Sequence, residues 1–202
     1  YSPLMNEIVL PAAILQPPFF NMAADDAVNY GGIGAVIGHE ISHGFDDKGS
    51  KYDGDGNLRN WWTAEDRTEF EARAKLLVDQ YASYSPVEGV YLNGELTLGE
   101  NIGDLGGLNV AYEAYRISLG DDEAPVIDGM TGDQRFFYGW AQVWRRKYRD
   151  AELRRRLLVD PHSPSEYRCN GIVSNMEAFY RAFDVPADSP MYLPPEKRIV
   201  IW

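Results

Sequence analysis

The spacing of apolar side chains along this chain predicts a mainly helical protein. Between residues 63 and 81, apolar residues recur every three or four positions, as they do on the buried face of an amphipathic helix. Thr63 is a suitable N-cap for this helix, because its hydroxyl can accept a hydrogen bond from a free backbone N–H of the first turn. Related patterns predict further helices at about 32–44, 98–119, 132–149 and 173–183.

Two other local patterns complete the prediction of secondary structure. Residues 7–15 form an aliphatic run that indicates a strand, and Pro11 within it favours an edge position in a sheet. Residues 163–166 have the spacing of a capping box, with proline at the first helical position, so we expect a short helix to begin just after His162. The elements together predict an α+β fold, mainly α with a small β-sheet, in one domain covering residues 1–202.

Composition and charge restrict the class of protein and its partners. A chain of 202 residues with 45% hydrophobic and 13% aromatic residues can bury a packed core. The formal net charge of −12 disfavours nucleic acids and anionic membrane surfaces as partners. No apolar run reaches the roughly 18–20 residues needed to span a bilayer, so we expect no membrane contact from this segment. Cytoplasmic and extracytoplasmic locations both stay open. Cys169 is the only cysteine, which excludes an internal disulfide and a cysteine-rich zinc site.

The most informative motif is His-Glu-x-x-His at residues 39–43. Side chains four residues apart lie on one face of a helix, so His39 and His43 can bind one cation from the same side. Glu40 points about 100° away around the helix axis, where its carboxylate can hold a water molecule instead of binding the metal. The spacing therefore predicts a zinc site with a neighbouring base. The alternative is a chance pair of core histidines on an apolar helix.

A catalytic zinc ion needs a third protein ligand and leaves one position open. The best candidates are Glu100 and Asp104, which lie four residues apart on the helix predicted at 98–119. One carboxylate can bind the metal, and the other can accept the free ring N–H of a zinc-bound histidine. Two solvated surface carboxylates are the alternative. The helix is otherwise rich in glycine and apolar residues, and buried carboxylates need a partner.

The third histidine, His162, lies in a separate polar run. Asp160 could keep His162 cationic, so that the imidazole donates to negative charge that develops on a substrate oxygen. Arg168 could bind a substrate carbonyl or carboxylate. A histidine beside the start of a helix is more often structural, so these residues alone favour a structural His162.

In their order along the chain, these motifs resemble the C-terminal catalytic portion of neprilysin-type zinc endopeptidases, the group that includes the endothelin-converting enzymes. The resemblance covers almost all 202 residues and is carried by GHEISHGFDD (38–47), LGENIGDLGG (98–107), HSP (162–164) and Trp202. It implies a zincin-like (gluzincin) metallopeptidase fold with one Zn²⁺ ion per chain. It also implies an endopeptidase that cleaves oligopeptides with a metal-activated water.

The resemblance assigns a role to each candidate residue. It implies that the metal ligands are His39, His43 and Glu100, and that the catalytic residues are Glu40, Asp104 and His162. Glu40 would be the general base, and Asp104 would orient His39. His162 would stabilise the oxyanion, and Asp160 would keep the His162 imidazole cationic. Arg168 would hold the substrate backbone, and Tyr1 would also bind substrate. In the family an Asn-Ala pair, whose Asn binds substrate backbone, stands directly before the tyrosine that aligns with Tyr1.

The chain also departs from the family pattern. It begins at Tyr1 in what reads as mid-domain sequence, so we expect a piece of a longer polypeptide that lacks the N-terminal helical lobe of the family. The disulfide cysteine that vertebrate members carry near the C-terminus is absent, which favours a bacterial-type member. Because the covering lobe and the upstream pair are missing, the alternative function is a zinc-containing scaffold or peptide-binding fragment with little or no catalysis.

Overall fold

The computed structural model describes all 202 residues, and its regular structure is entirely helical. The α-helices are Asp26–Asn29 (α1), Ala35–Ser42 (α2), Ala64–Ala82 (α3), Leu98–Leu119 (α4), Gly132–Val143 (α5), Asp150–Val159 (α6), Ser165–Val173 (α7) and Glu177–Phe183 (α8). Single turns of other helix types occur at Ala12–Ile14, Tyr30–Gly34, His43–Phe45, Gly49–Lys51 and Pro195–Lys197. None of the helices is both long enough and apolar enough to cross a bilayer.

The prediction of a small β-sheet is wrong. Strand-like pairing is limited to four isolated antiparallel bridges, and the predicted strand, residues 7–15, takes part in them only at Glu7, which pairs with Ser2. Within that run a 3₁₀ turn begins directly after Pro11, and the N–H of Leu15 closes it on the carbonyl of Ala12 at 3.1 Å. Pro11 has no N–H to give to a ladder, and beyond Glu7 no other segment pairs with this run. The aliphatic pattern alone therefore could not produce a strand.

Two of the predicted helices are confirmed. The helix α3 begins directly after Thr63, whose hydroxyl accepts a hydrogen bond of 3.1 Å from the N–H of Asp66. The helix α4 occupies the predicted residues, Leu98–Leu119. It is the central element of the core, and its buried residues include Ile102, Leu105, Leu108 and Tyr115. The helix that carries the candidate third ligand is therefore also the one that organises the fold.

The C-terminal half differs from the prediction in three places. The helix α5 ends at Val143, six residues before the predicted end at residue 149, and an irregular connector leads to α6, a helix that the sequence did not predict. The apolar stripe of α5 stops at Trp144, because three basic residues follow it. The expected capping box does not form, since Pro164 is the N-cap and the Ser163 hydroxyl donates to Asn101 of α4 at 2.9 Å. The helix α8 begins at residue 177 instead of 173.

Two glycines allow α2 and α4 to pack backbone against backbone. A Cβ atom on Gly38 would lie 2.6 Å from the carbonyl oxygen of Gly107, and a Cβ atom on Gly107 would lie 2.3 Å from the backbone nitrogen of His39. Any larger side chain at either position would push the helices apart. This close approach places the side chains of His39 and His43 next to the first turns of α4.

Candidate metal centre

The two histidines of the motif lie one turn apart at the end of α2, as the spacing predicts. The backbone turns from α-helix into a short 3₁₀ turn at His43–Phe45, so His43 lies at the junction of the two. The His39 and His43 rings are 4.5 Å apart between centroids and nearly perpendicular, at 84°. His39 is buried and 7% exposed, and His43 is partly buried. Both imidazoles therefore face the same small volume from one helix.

An aspartate fixes the orientation of each ring. Nδ1 of His39 lies 2.8 Å from Oδ1 of Asp104, and Nδ1 of His43 lies 2.7 Å from Oδ2 of Asp46. Because ionised carboxylates only accept hydrogen bonds, both Nδ1 atoms carry the proton. In the neutral rings the lone pair is then on Nε2, on the side that faces Glu100.

Asp46 is not among the site residues predicted from the sequence. Its other oxygen accepts hydrogen bonds from the backbone N–H groups of Lys48 and Gly49 at 2.8 and 2.7 Å, which holds the carboxylate in a tight turn. The available signal was an aspartate three residues after His43, in a segment whose glycine and aspartates indicate a turn.

The carboxylate of Glu100 completes a group that can hold a metal ion. Its Oε2 lies 3.3 Å from Nε2 of His39, and its Oε1 lies 3.8 Å from Nε2 of His43. The three ligand atoms lie within 4.8 Å of one another. Zinc bonds of about 2.0–2.1 Å in a tetrahedral arrangement separate the ligand atoms by about 3.4 Å. Two imidazole nitrogens and one carboxylate oxygen at this spacing fit zinc.

The electrostatics of the site favour a positive charge between these groups. Burial alone would lower the pKa of His39, but its hydrogen bonds to Asp104 and Glu100 outweigh burial and raise the pKa to about 9. Burial would raise the pKa of Glu100, yet its hydrogen bond with His39 and the charge of Arg168 hold that pKa below its ordinary value. The carboxylates therefore stabilise a cation beside them.

Asp104 links the site to α7 through a buried ion pair. Asp104 is 1% exposed, and both of its oxygens accept hydrogen bonds of 2.7 Å from Nε and Nη2 of Arg168. The guanidinium of Arg168 also lies over the ring of Trp144, 4.2 Å from its centroid. Burial would raise the pKa of Asp104, but the charge and hydrogen bonds of Arg168 and the hydrogen bond with His39 lower it. Asp104 is therefore an ionised group that holds both His39 and Arg168.

The structure also brings the run around His162 to the same site. Nε2 of His162 lies 3.2 Å from Oε2 of Glu100, and Nδ1 lies 2.8 Å from Oδ1 of Asp160. The hydrogen bond between Ser163 and Asn101 ties this run to α4 directly beside Glu100. The third histidine and its aspartate thus lie at the candidate metal centre, although 60 residues separate Glu100 from Asp160 along the chain.

Glu40 and Tyr1 contact each other beside the centre. The Glu40 side chain is 25% exposed, and its Oε2 lies 2.5 Å from the backbone nitrogen of Tyr1. The Tyr1 hydroxyl donates to the side-chain oxygen of Asn6 at 2.8 Å. Tyr1 also lines an open cavity together with His43 and Glu100. All nine site residues predicted from the sequence therefore lie in or beside one cleft, and none lies elsewhere in the molecule.

The family comparison agrees with this arrangement. The family model for Peptidase family M13 matches residues 1–199. The chain belongs to this peptidase family. Membership confirms the resemblance to neprilysin-type peptidases.

Several M13 relatives match the whole chain or nearly all of it. It is 47% identical to Neprilysin-1 of Caenorhabditis elegans over 209 residues, which cover 100% of the chain and 27% of that relative. It is 46% identical to human endothelin-converting enzyme 1 over 200 residues, or 98% of the chain and 26% of that relative. The crystal structure of Mycobacterium tuberculosis zinc metalloprotease Zmp1 with an inhibitor matches with a TM-score of 0.98 and 63% identity, over 100% of this chain and 32% of that chain.

Two facts about these M13 matches bear on the predictions. The chain spans only about a quarter of the length of the curated relatives that it matches. Its identity to the mycobacterial structure, 63%, exceeds its identity to these animal relatives, 46–47%. A second bacterial structure, that of PEPO from Lactobacillus rhamnosis, is 42% identical, so the expected bacterial type stays a prediction.

Proposed function

We propose that this chain is the catalytic portion of a zinc-dependent endopeptidase that hydrolyses oligopeptides with a metal-activated water. The observation that carries the proposal is the convergence of ligand atoms from His39, His43 and Glu100, which lie within 4.8 Å of one another beside Glu40. Membership of Peptidase family M13 and the similarity to a zinc metalloprotease support it.

In this proposal His39, His43 and Glu100 hold one Zn²⁺ ion. When bound, the ion supplies Lewis-acid polarisation of a peptide carbonyl and lowers the pKa of a water molecule. Asp104 and Asp46 act behind the two imidazoles, since each accepts the Nδ1 proton and so keeps Nε2 free to bind. Asp104 also raises the basicity of His39, and both aspartates stabilise the positive charge that the site must hold.

Glu40 acts as the general base in this mechanism. Its carboxylate lies on the helix that presents both histidines, and it is partly exposed beside Tyr1, which lines the cleft. From there it can take a proton from water and pass it to the leaving amine. The acid and the base of the reaction are then one carboxyl group at different stages. No covalent bond to the protein is needed.

His162 and Arg168 act on the substrate. His162 faces the centre with Nε2, while Asp160 holds Nδ1, so the imidazole can donate to the carbonyl oxygen as negative charge develops there. Loss of such a donor typically costs ~10²–10³ in rate. Arg168 uses Nε and Nη2 for Asp104, which leaves Nη1 to bind a backbone carbonyl of the peptide. Tyr1 borders the same cleft and can contact the peptide beside Glu40.

Metal analysis and a peptide assay together test this function. The protein is purified without added metal, its zinc content is measured, and cleavage of a quenched fluorescent oligopeptide is followed with and without a chelator. We expect about one zinc ion per chain and internal cleavage that the chelator abolishes and added zinc restores. Bound zinc without cleavage would favour the scaffold alternative, and cleavage that resists the chelator would contradict the metal mechanism.

A further inference from the structure

The orientation of His162 depends on hydrogen bonds more than on packing. Its side chain is 42% exposed, so few neighbours restrict rotation of the ring. The ring nitrogens contact carboxylates on both sides, Asp160 at Nδ1 and Glu100 at Nε2. Glu100 is the carboxylate to which we assign the metal. Asp160 is therefore the group that must hold the imidazole towards the cleft.

Asp160 is held in turn by Arg156. Oδ1 of Asp160 accepts the backbone N–H of His162 at 2.9 Å and its ring nitrogen at 2.8 Å, while Oδ2 contacts Nη2 of Arg156 at 2.7 Å. Since a carboxylate is planar, fixing Oδ2 fixes the direction of Oδ1. The backbone N–H of Asp160 also donates to the carbonyl of Arg156 at 2.8 Å. Both the side chain and the backbone of Asp160 are thus tied to the last turn of α6.

Arg156 itself is anchored towards the protein. Its side chain is 21% exposed, and its guanidinium lies over the ring of Tyr148, 5.5 Å from the centroid. The Tyr148 hydroxyl is bonded to the hydroxyl of Ser165, the first residue of α7, at 2.8 Å. The preceding residue offers a natural comparison, because Arg155 is 60% exposed and pairs only with Glu152.

We propose that Arg156 is a positioning residue that aims His162 into the catalytic cleft through Asp160. The inference rests on the proposed role of His162, and it adds a residue that neither the motifs nor the metal site contains. Arg156 does not touch the substrate. It sets the direction of the hydrogen bond that holds the imidazole.

The kinetic test compares Arg156→Gln with Arg155→Gln in the zinc-loaded protein at its natural length. We expect kcat of Arg156→Gln to fall about 10-fold with little change in KM, a smaller loss than the ~10²–10³ for the donor itself. Arg155→Gln should match the wild type. In a His162→Ala background, Arg156→Gln should cause no further loss, because the two residues act through one contact. An equal loss with and without His162 would overturn the proposal.

A spectroscopic test does not depend on catalysis. The ring-nitrogen signals of His162 are recorded by NMR on protein with nitrogen-15-labelled histidine and assigned from the His162→Ala spectrum. Arg156→Gln should shift them, and Arg155→Gln should not. Unshifted signals in Arg156→Gln would overturn the proposal, even if peptide cleavage failed for every variant. If His162→Ala leaves kcat unchanged, the catalytic role of His162 fails, and the NMR result still decides what orients the ring.

A conservative variant covers the case in which Arg156→Gln does not fold. Arg156→Lys keeps a positive donor for Asp160 and loses the planar contact with Tyr148. We expect kcat within about 2-fold of the wild type and His162 signals near their wild-type positions, since an ammonium group can replace this one contact. A folded Arg156→Lys variant that loses both the near-wild-type kcat and the wild-type positions of the His162 signals would contradict the proposal, because its ammonium group still contacts Asp160.

Discussion

Asp104 has two roles, as the buried partner of Arg168 and as the acceptor that orients His39. Replacing Asp104 by asparagine tests both roles, since the substitution removes the charge of the side chain and hardly changes its shape. Asp104 is 1% exposed, and it contacts Arg168 at 2.7 Å through both oxygens and His39 at 2.8 Å. Three N–H donors therefore point at this carboxylate. An amide offers one acceptor oxygen and turns its NH₂ group towards a donor, so at least one of these bonds must break.

The cost to stability follows from the burial of Arg168. Removing one partner of a buried ion pair typically costs about 3–5 kcal/mol, because the other charge is left without compensation. Here Oε2 of Glu100 lies 3.5 Å from Nη2 of Arg168 and offsets part of that cost. We therefore expect Asp104→Asn to lower the free energy of unfolding of the zinc-free protein by about 3 kcal/mol. Zinc affinity should fall about 10–100-fold as well, because Asp104 no longer fixes His39.

Asp46→Asn is the matched control for this experiment. Asp46 fixes His43 as Asp104 fixes His39, but it contacts no arginine, and its backbone hydrogen bonds can be kept by an amide oxygen. Urea unfolding of the zinc-free proteins gives the stability, and competition with a chromogenic chelator gives the zinc affinity. We expect both variants to bind zinc more weakly and only Asp104→Asn to lose about 3 kcal/mol.

The pH dependence gives a further check with a defined sign. The folded-state pKa of Asp104 is lowered, so its contribution to stability is present above its ordinary value of 3.8 and is lost as the pH falls through the folded-state pKa. The stability gap between the wild type and Asp104→Asn should therefore shrink on acidification below that value. A loss under about 1 kcal/mol, or a loss no larger than that of Asp46→Asn, would refute the reasoning about the buried pair.

Three further predictions test other parts of the structure. Glu40→Gln should bind zinc like the wild type and lose ~10²-fold or more in peptide cleavage; simultaneous loss of zinc in metal analysis would instead make Glu40 a ligand. Gly107→Ala should lower the unfolding free energy by about 3 kcal/mol, because its Cβ would lie 2.3 Å from the His39 nitrogen. Gly34→Ala, with no contact closer than 3.6 Å, should be tolerated, and equal losses would contradict the packing argument. Burial raises the pKa of the Cys169 thiol to about 12, so a disulfide reagent at mildly alkaline pH should label it slowly until the protein is unfolded, and rapid labelling of the native protein would contradict that burial.

The central helix and the candidate site could be predicted because their signals are local. The helix α4 begins after Thr97, as predicted, and ends at Gly120, which adopts a positive φ of 59°. The histidines and the carboxylates of Glu100 and Asp104 each lie one helical turn apart. Since that spacing puts each pair on one face, only the packing of α2 against α4 was needed to bring them together.

The remaining features depend on contacts that no local pattern records. A strand exists only with a partner, and residues 8–15 have none. Ser163 had the spacing of a cap, yet a hydrogen bond to Asn101, 62 residues away, uses its hydroxyl instead. In both cases a long-range contact, absent or present, outweighed a local propensity.

The charges around the three histidines explain why this site suits a dication. Each imidazole is held at Nδ1 by a different aspartate, and all three Nε2 atoms face the single carboxylate of Glu100. The guanidiniums of Arg156 and Arg168 offset only two of these four carboxylates. The groups that touch the histidines therefore leave two negative charges, and the raised pKa of His39, about 9, is the response of one imidazole to that field. A proton on His39 neutralises only one of them. A divalent ion bound at the Nε2 atoms of His39 and His43 neutralises both, so the charges and the ligand geometry independently favour the same occupant.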